Sequence, residues 1–195
     1  MKILKYIALA LVSLVLLFFA IGLIHPEVHY GHEVTVNKPL EEAWAVSQDV
    51  SKLDQWIRGF KGMELIEGEE GAVGSKYRIV VTPGEGQPDF EMVETIVSVK
   101  EQDHISLSFD SDMMVFEQTM SFADTDEGVT VKTESVVKGK TLPLRSLFAL
   151  MEMTSGQFRK QEAENIDHLK KVIENNTTDY FPTEVIMMLD SLTFE

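Results

Sequence analysis

The sequence predicts an α+β fold in which an antiparallel sheet of about seven strands packs against a long C-terminal helix. Two short helices follow the first strand, and a transmembrane helix precedes it. Three observations predict this arrangement. An uncharged apolar run opens the chain, six consecutive segments between residues 62 and 138 read with a period of two, and a 3.6-residue period then holds almost to Asn175.

The apolar run, Tyr6 to Ile24, contains nineteen residues without a charge. As a helix it spans about 28 Å, close to the ~30 Å hydrocarbon thickness of a bilayer. Lys2 and Lys5 precede it, and Glu27 and Glu33 follow. That asymmetry predicts a single-pass anchor with its N-terminus cytoplasmic and the domain on the outer side. A cleaved secretory signal is the alternative, with Ala20-Ile21-Gly22 as a small-residue cleavage site; the domain is exported on either reading.

His32 to Asn37 alternates as a half-buried strand. Pro39 suits the first turn of a helix, where its missing N–H costs nothing. Leu40, Ala43, Trp44 and Ser47 form one face of that helix, and "SKLD" at Ser51 to Asp54 has the spacing of a cap for a second helix carrying Leu53, Trp56 and Ile57. Strands are expected at Gly62–Glu67, Ser75–Thr82, Asp89–Lys100, His104–Phe109, Met113–Ala123 and Val129–Lys138. Short turn-like links such as "PGEGQP" and "DTDEG" join them, which implies an antiparallel meander. After Pro143, Leu147, Met151, Phe158, Ile166, Leu169 and Ile173 share one stripe of a helix near thirty residues long. A helix of that length needs a surface against which to bury the stripe.

Composition excludes several function classes. Seventeen Lys and Arg stand against 32 Asp and Glu, a net charge of -15, which repels phosphate backbones and argues against nucleic-acid binding. Cysteine is absent, so disulfides and thiolate chemistry are excluded. His25, His29 and His32, interleaved with Glu27 and Glu33, have ligand-like composition, but a linker running into a strand does not converge them, and no metal or other cofactor is expected.

The stretch "VTVNKPLEEAWAVSQDVSKLDQW" and the terminal "FRKQEAENIDHLKKVIE" together resemble the START-like, birch-pollen-allergen-like superfamily, SRPBCC. Within it they resemble the polyketide cyclase/dehydrase and lipid transport group, over about Tyr30 to Glu174. The resemblance implies a helix-grip fold, a curved antiparallel sheet wrapped round the long helix, with an apolar cavity between sheet and helix that binds lipids, polyketides or other hydrophobic molecules. It divides the chain into an anchor or signal segment at 1–27, a START-like ligand-binding domain at 28–175 and a tail at 176–195. The lining expected for that cavity is Trp56, Tyr77, Ile79, Val81, Leu107, Phe109, Met114, Phe116, Gln118, Met120, Met151, Phe158 and Glu162. Met113 and Met153 lie on elements expected to surround it.

Glu162 falls in the middle of the apolar stripe, where a carboxylate must find a partner or neutralise. It is either a polar group facing the cavity with Gln118 and Tyr77, or the partner of Arg78, Arg145 or Arg159, or it lies where the helix faces open cavity or solvent. The reading that follows is a membrane-anchored domain, non-catalytic, whose partner is a hydrophobic small molecule or lipid. A protein-interaction module at the membrane surface, using the tail "DYFPTEVIMMLDSLTFE", is the second reading. A cyclase- or dehydratase-like enzyme built on Glu162, Tyr77 and Gln118 is the third.

Overall fold

Period-two alternation and tight turns produce one seven-stranded antiparallel sheet, in the order β1-β7-β6-β5-β4-β3-β2, in the computed structural model, which describes residues 2–82, 84 and 86–182. The strands are β1 (Val28–Val36), β2 (Phe60–Glu67), β3 (Lys76–Val81), β4 (Phe90–Lys100), β5 (His104–Asp110), β6 (Met114–Thr125) and β7 (Gly128–Gly139). Strands β2 to β7 are the expected meander. β1 starts at Val28 rather than His32, because its register with β7 runs unbroken from Val28↔Val137 to Val36↔Val129. That register buries Val28, Val34 and Val36 on the concave side.

β1 and β2 are the two edges of the sheet, and the chain crosses between them through α2 (Leu40–Gln48), a 3-10 turn at Val50–Lys52 and α3 (Leu53–Trp56). Pro39 precedes α2 with φ of -57°, and Glu41 and Glu42 occupy its first turn, where carboxylates complement the helix dipole. The cap of the following turn is Asp49 rather than Ser51: Asp49 Oδ1 accepts from the Ser51 N–H at 2.9 Å and from the Ser51 hydroxyl at 2.6 Å. Trp44 is buried edge-on against Phe122, with ring centroids 5.2 Å apart.

The single C-terminal helix expected from the stripe is two helices, α4 (Leu142–Ser155) and α5 (Gln157–Glu174). Gly156, at φ 62°, takes the left-handed conformation that ends α4, and its N–H reaches Glu152 O. Glu152 spans the break, accepting from the Phe158 N–H at 3.0 Å at the start of α5. The break shifts the phase of everything before it. Leu147 is therefore 42% exposed, and α4 turns Ser146, Phe148 and Ala149 inward instead. α5 keeps its stripe: Ile166, Leu169 and Ile173 are fully buried with Val36, Val46, Val129 and Val131.

The apolar run is α1 (Lys2–Ile24), a helix long and apolar enough to cross a membrane and exposed over most of its length. Its last turns dock on α4 at Gly22, where any Cβ would collide with the Ser146 hydroxyl and lie 3.0 Å from Leu142 O. The start of the tail is also tied down. Asn176 Nδ2 donates to Glu42 at 2.9 Å, and the Tyr180 hydroxyl donates to Asp49 Oδ2 at 2.6 Å. The rest of the tail, including "VIMMLDSL", lies outside the described residues.

The two halves of the expected stripe thus differ in what they hold together. Ile166→Ala should destabilise the domain by about 2–5 kcal/mol, and Leu147→Ala by less than about 0.5 kcal/mol; urea unfolding of the two variants checks this.

Candidate ligand-binding cavity

Three apolar clusters line the concave side of the sheet without merging. One lies under α2 and α5 around Trp44 and Ile166, a second joins Val28, Val137 and Phe148, and a third joins Tyr77, Ile79 and Ile96. Between them is a cavity of about 350 Å³ whose walls are drawn from all three. Leu53, Trp56 and Ile57 close it from α3, and Phe158, Glu162 and Ile166 from α5. Val50, Arg58 and Gln161 are exposed members of the lining, so it reaches the surface between α3 and α5. There the Arg58 N–H donates to Asn165 Oδ1 at 3.0 Å and its guanidinium to Glu164 at 3.1 Å.

Trp56, Ile79, Val81, Leu107, Phe109, Met114, Phe116, Gln118, Met120, Phe158 and Glu162 all sit in the lining. Tyr77 and Met151 do not. Tyr77 points to the concave side, but its ring fills the end of the third cluster and its hydroxyl accepts from the Gly71 N–H at 2.7 Å. Met151 lies on α4, which the break at Gly156 rotates away from the cavity; Met153 is 65% exposed and Met113 is exposed as well. Met63 and Met92 take the places expected for those methionines.

Aromatic rings form a continuous wall. Phe109 stacks on Phe116 at 5.0 Å, Tyr30 bridges Phe116 and Phe158, and Phe158 meets Phe148 edge-on at 5.5 Å. Rings in such offset and edge-on contacts hold a shaped apolar surface at little entropic cost.

Glu162 is buried in the middle of the α5 stripe and none of the three arginines pairs with it. Arg78 pairs with Glu64, Arg159 with Glu152, and the Arg145 Nε–H donates to Gly139 O. Its Oε1 instead accepts from Gln118 Nε2 at 2.8 Å and from the Ser135 hydroxyl at 3.2 Å, while Gln118 also reaches Ser135 at 3.3 Å. Burial raises its pKa, and hydrogen bonds from Thr133, Ser135 and Gln118 oppose the rise.

Two polar groups in the lining lack that support. Glu94, on β4 between Tyr77 of β3 and Phe109 of β5, is 7% exposed and has no hydrogen-bond partner among the described residues. Burial alone pushes its pKa up to about 7. The indole N–H of Trp56, itself 8% exposed, is buried without an acceptor. Glu94 was not among the residues expected from sequence. Val93, Val97 and Val99 alternate with Met92, Glu94 and Ile96, so both faces of β4 read as apolar. A bulge between Ile96 and Ser98 then exchanges the faces midway. The available signal was that Glu94 is the lone carboxylate in phase with Met92 and Ile96.

A larger depression, about 1030 Å³, lies on the convex side of the sheet. It is an open trough bordered by outward side chains such as Glu117, Lys132 and Glu134, the last two paired with each other at 2.8 Å. A surface of that kind shields no apolar ligand.

Residues 27–174 match the family described as polyketide cyclase / dehydrase and lipid transport. The chain belongs to that family. No curated protein sequence matches it. Among solved structures it resembles a conserved protein from Geobacillus kaustophilus, with a TM-score of 0.60 at 18% identity, over 75% of this chain and 95% of that one. A Staphylococcus aureus protein of unknown function aligns with a TM-score of 0.59 at 16% identity, over 78% and 97% of the two chains. The di-domain ARO/CYC BexL, from the BE-7585A biosynthetic pathway, aligns at 0.57 and 11% identity, over 78% of this chain and 52% of its own. At these identities the likeness is one of fold. The family's helix-grip architecture accounts for the curved sheet, the long terminal helix and the space between them.

The raised pKa of Glu94 carries a consequence for stability. A carboxyl that binds its proton more tightly when folded contributes fully below its ordinary 4.5, and the contribution is lost as pH rises through about 7. Glu94→Gln remains neutral throughout. Wild type should therefore lose stability relative to Glu94→Gln between about pH 5 and pH 8, by a gap on the order of 3 kcal/mol. Urea unfolding across that pH range measures it, and a gap that narrows as pH rises would contradict the assignment.

Proposed function

We propose that this family member binds a hydrophobic small molecule or lipid in the cavity between sheet and α5, and does so while held at a membrane by α1. The observation that carries the reading is the cavity itself: about 350 Å³, ringed by Phe109, Phe116, Phe158, Leu107 and Met120, bounded by α3 and α5 and opening to the surface between them. An apolar ligand gains about 25 cal/mol for each Å² it removes from water, so such walls need few polar contacts to bind usefully.

Binding rather than catalysis fits the polar groups. The third reading relied on Glu162, Tyr77 and Gln118, and all three are engaged in hydrogen bonds within the fold. Glu94 titrates in a range suited to acid–base work, but no second ionisable group hydrogen-bonds to it among the described residues.

Two features support the membrane. α1 carries Lys2 and Lys5 at one end and is otherwise uncharged. Its other end fits α4 so closely at Gly22 that it behaves as a fitted part of the domain, which favours an anchor over a cleaved signal. α4, lying beside that end, exposes Leu147, Leu150 and Met153, apolar side chains suited to the interfacial region of a bilayer. On this reading residues 1–27 are the anchor, 28–175 the binding domain and 176–195 an appended tail, with the domain on the outer side.

The full chain purified in mild detergent should carry an extractable apolar molecule visible by native mass spectrometry. Leu107→Trp, which fills the cavity, should be empty at nearly unchanged Tm. Loading equal to wild type in that variant would sink the reading. Removing residues 1–24 should release the domain from carbonate-washed membranes.

A further inference from the structure

Most of the polar side chains that line the cavity are engaged within the fold. Gln118 donates to Glu162, and Gln48 donates to Ser47, whose hydroxyl donates to Trp44 O. Glu94 lines the same cavity, is 7% exposed, and has no hydrogen-bond partner among the described residues. The Trp56 nitrogen is the only side-chain nitrogen or oxygen among those residues that is both sealed and unpartnered, so the carboxyl oxygens of Glu94 stay open to a water-sized space. On the strands to either side Glu94 stands opposite Tyr77 and Phe109, both of which point to the concave face. Folded proteins rarely leave such a group unmet, and a partner supplied by a ligand regains what its burial costs.

We propose that Glu94 accepts a hydrogen bond from the bound ligand, an apolar molecule that carries a hydroxyl or amine donor and no acid group. This inference rests on the ligand-binding reading above and adds the chemical class of the ligand. A cavity of about 350 Å³ is at the small end of those that enclose a small molecule, so single-chain amphiphiles suit it as probes.

The choice of a donor follows from what a carboxyl can do. It accepts a hydrogen bond with or without its proton, and donates one only while it holds that proton. A donor on the ligand is therefore met in both states, whereas a lone carbonyl or ether oxygen is met in one. The charges around the site decide against an acid. Glu162 lies on α5, and Arg58, the only cation of the lining among the described residues, stands exposed at the opening and paired with Glu164. A carboxylate, sulfonate or phosphate inside the cavity would face two carboxyl groups and no cation. Tyr30 also lines the cavity, on β1, and stacks on Phe116 beyond Phe109, so it stands at the far end of the aromatic wall from Glu94. Its hydroxyl could donate to an acceptor on the ligand, which makes Tyr30 the control for Glu94.

The test uses the full chain in lipid nanodiscs, with empty nanodiscs subtracted, and radiolabelled probes in two matched pairs. Decanol is paired with methyl nonyl ether, and decylammonium with decyltrimethylammonium, so the members of a pair share a charge and differ in the donor. Decanesulfonate serves as the acid. In at least one pair the donor-bearing probe should bind about fivefold more tightly than its partner, the equivalent of one hydrogen bond, and the pair that shows the ratio identifies the donor as hydroxyl or amine. Decanesulfonate should bind at least about tenfold more weakly than that probe. Glu94→Leu should bring the ratio to about one, Glu94→Gln, whose amide oxygen still accepts, should keep most of it, and Tyr30→Phe should leave it unchanged. Urea unfolding checks that each variant is folded. A ratio below about twofold in both pairs would overturn the proposal, as would a ratio that survives Glu94→Leu or vanishes in Tyr30→Phe, or decanesulfonate bound as tightly as the donor-bearing probe. Equal binding of all the probes, abolished by Leu107→Trp, would overturn this selectivity and leave the cavity reading standing. Binding of none of them would remove both.

Discussion

The whole arrangement depends on how α5 is seated. Ile166, Leu169 and Ile173 are sealed against Val36, Val129, Val131, Trp44 and Val46, and that contact fixes one half of the helix to the β1–β7 side of the sheet. The other half cannot follow the sheet round its curve, because a helix is straight over eighteen residues and the sheet is not. Seven strands hydrogen-bonded in register cannot collapse to close the difference. Space remains where α5 leaves the sheet, and the remaining apolar side chains gather at its edges as separate clusters. The cavity is therefore a product of backbone geometry, and substitutions that enlarge a wall residue can fill it without dismantling the fold.

This geometry explains why the polar groups of the cavity divide as they do. Glu162 lies on the part of α5 nearest β6 and β7, close enough for Gln118 and Ser135 to reach it, so its burial is compensated within the fold. Glu94 is on β4, across from the helix, and no side chain spans the gap. Its neighbours along the sheet are an aromatic ring and a tyrosine already committed elsewhere. The Trp56 indole N–H on α3 is different, since it is packed without an acceptor and faces no open space. A buried group without a partner on the far side of an open space is the pattern expected where a ligand, rather than the protein, completes the hydrogen bonding.

The break at Gly156 connects the cavity to the other end of the molecule. It lets α4 depart from the line of α5, pack Phe148 on Val28 and Val137, present Ser146 to Gly22 of α1 and leave Leu147, Leu150 and Met153 outward. Glu152 ties the two helices across the break, by accepting from the Phe158 N–H and pairing with Arg159 at 3.5 Å. Phe158 in turn forms part of the aromatic wall. The apolar helix at the N-terminus and the cavity are thus joined through a short run of packed residues.

Local pattern alone determined much of this protein. The apolar run, the meander, the paired short helices behind Pro39 and the α5 stripe follow from nearest-neighbour periodicity, and eleven of the thirteen residues expected around a cavity do line it. What periodicity cannot carry is a change of phase. Gly156 interrupts a stripe that reads as continuous, which misplaces Leu147 and Met151; the bulge at Ile96–Ser98 exchanges the faces of β4, which hides Met92 and Glu94. Whether a buried carboxylate is satisfied is likewise decided by what stands across the space from it. Gln118 and Ser135 reach Glu162 from strands more than twenty residues away in sequence, and nothing among the described residues reaches Glu94. The sequence determines which side chains must leave water, and only the tertiary structure decides which of them meet a partner, because partners come from distant strands brought together by the curvature of the sheet.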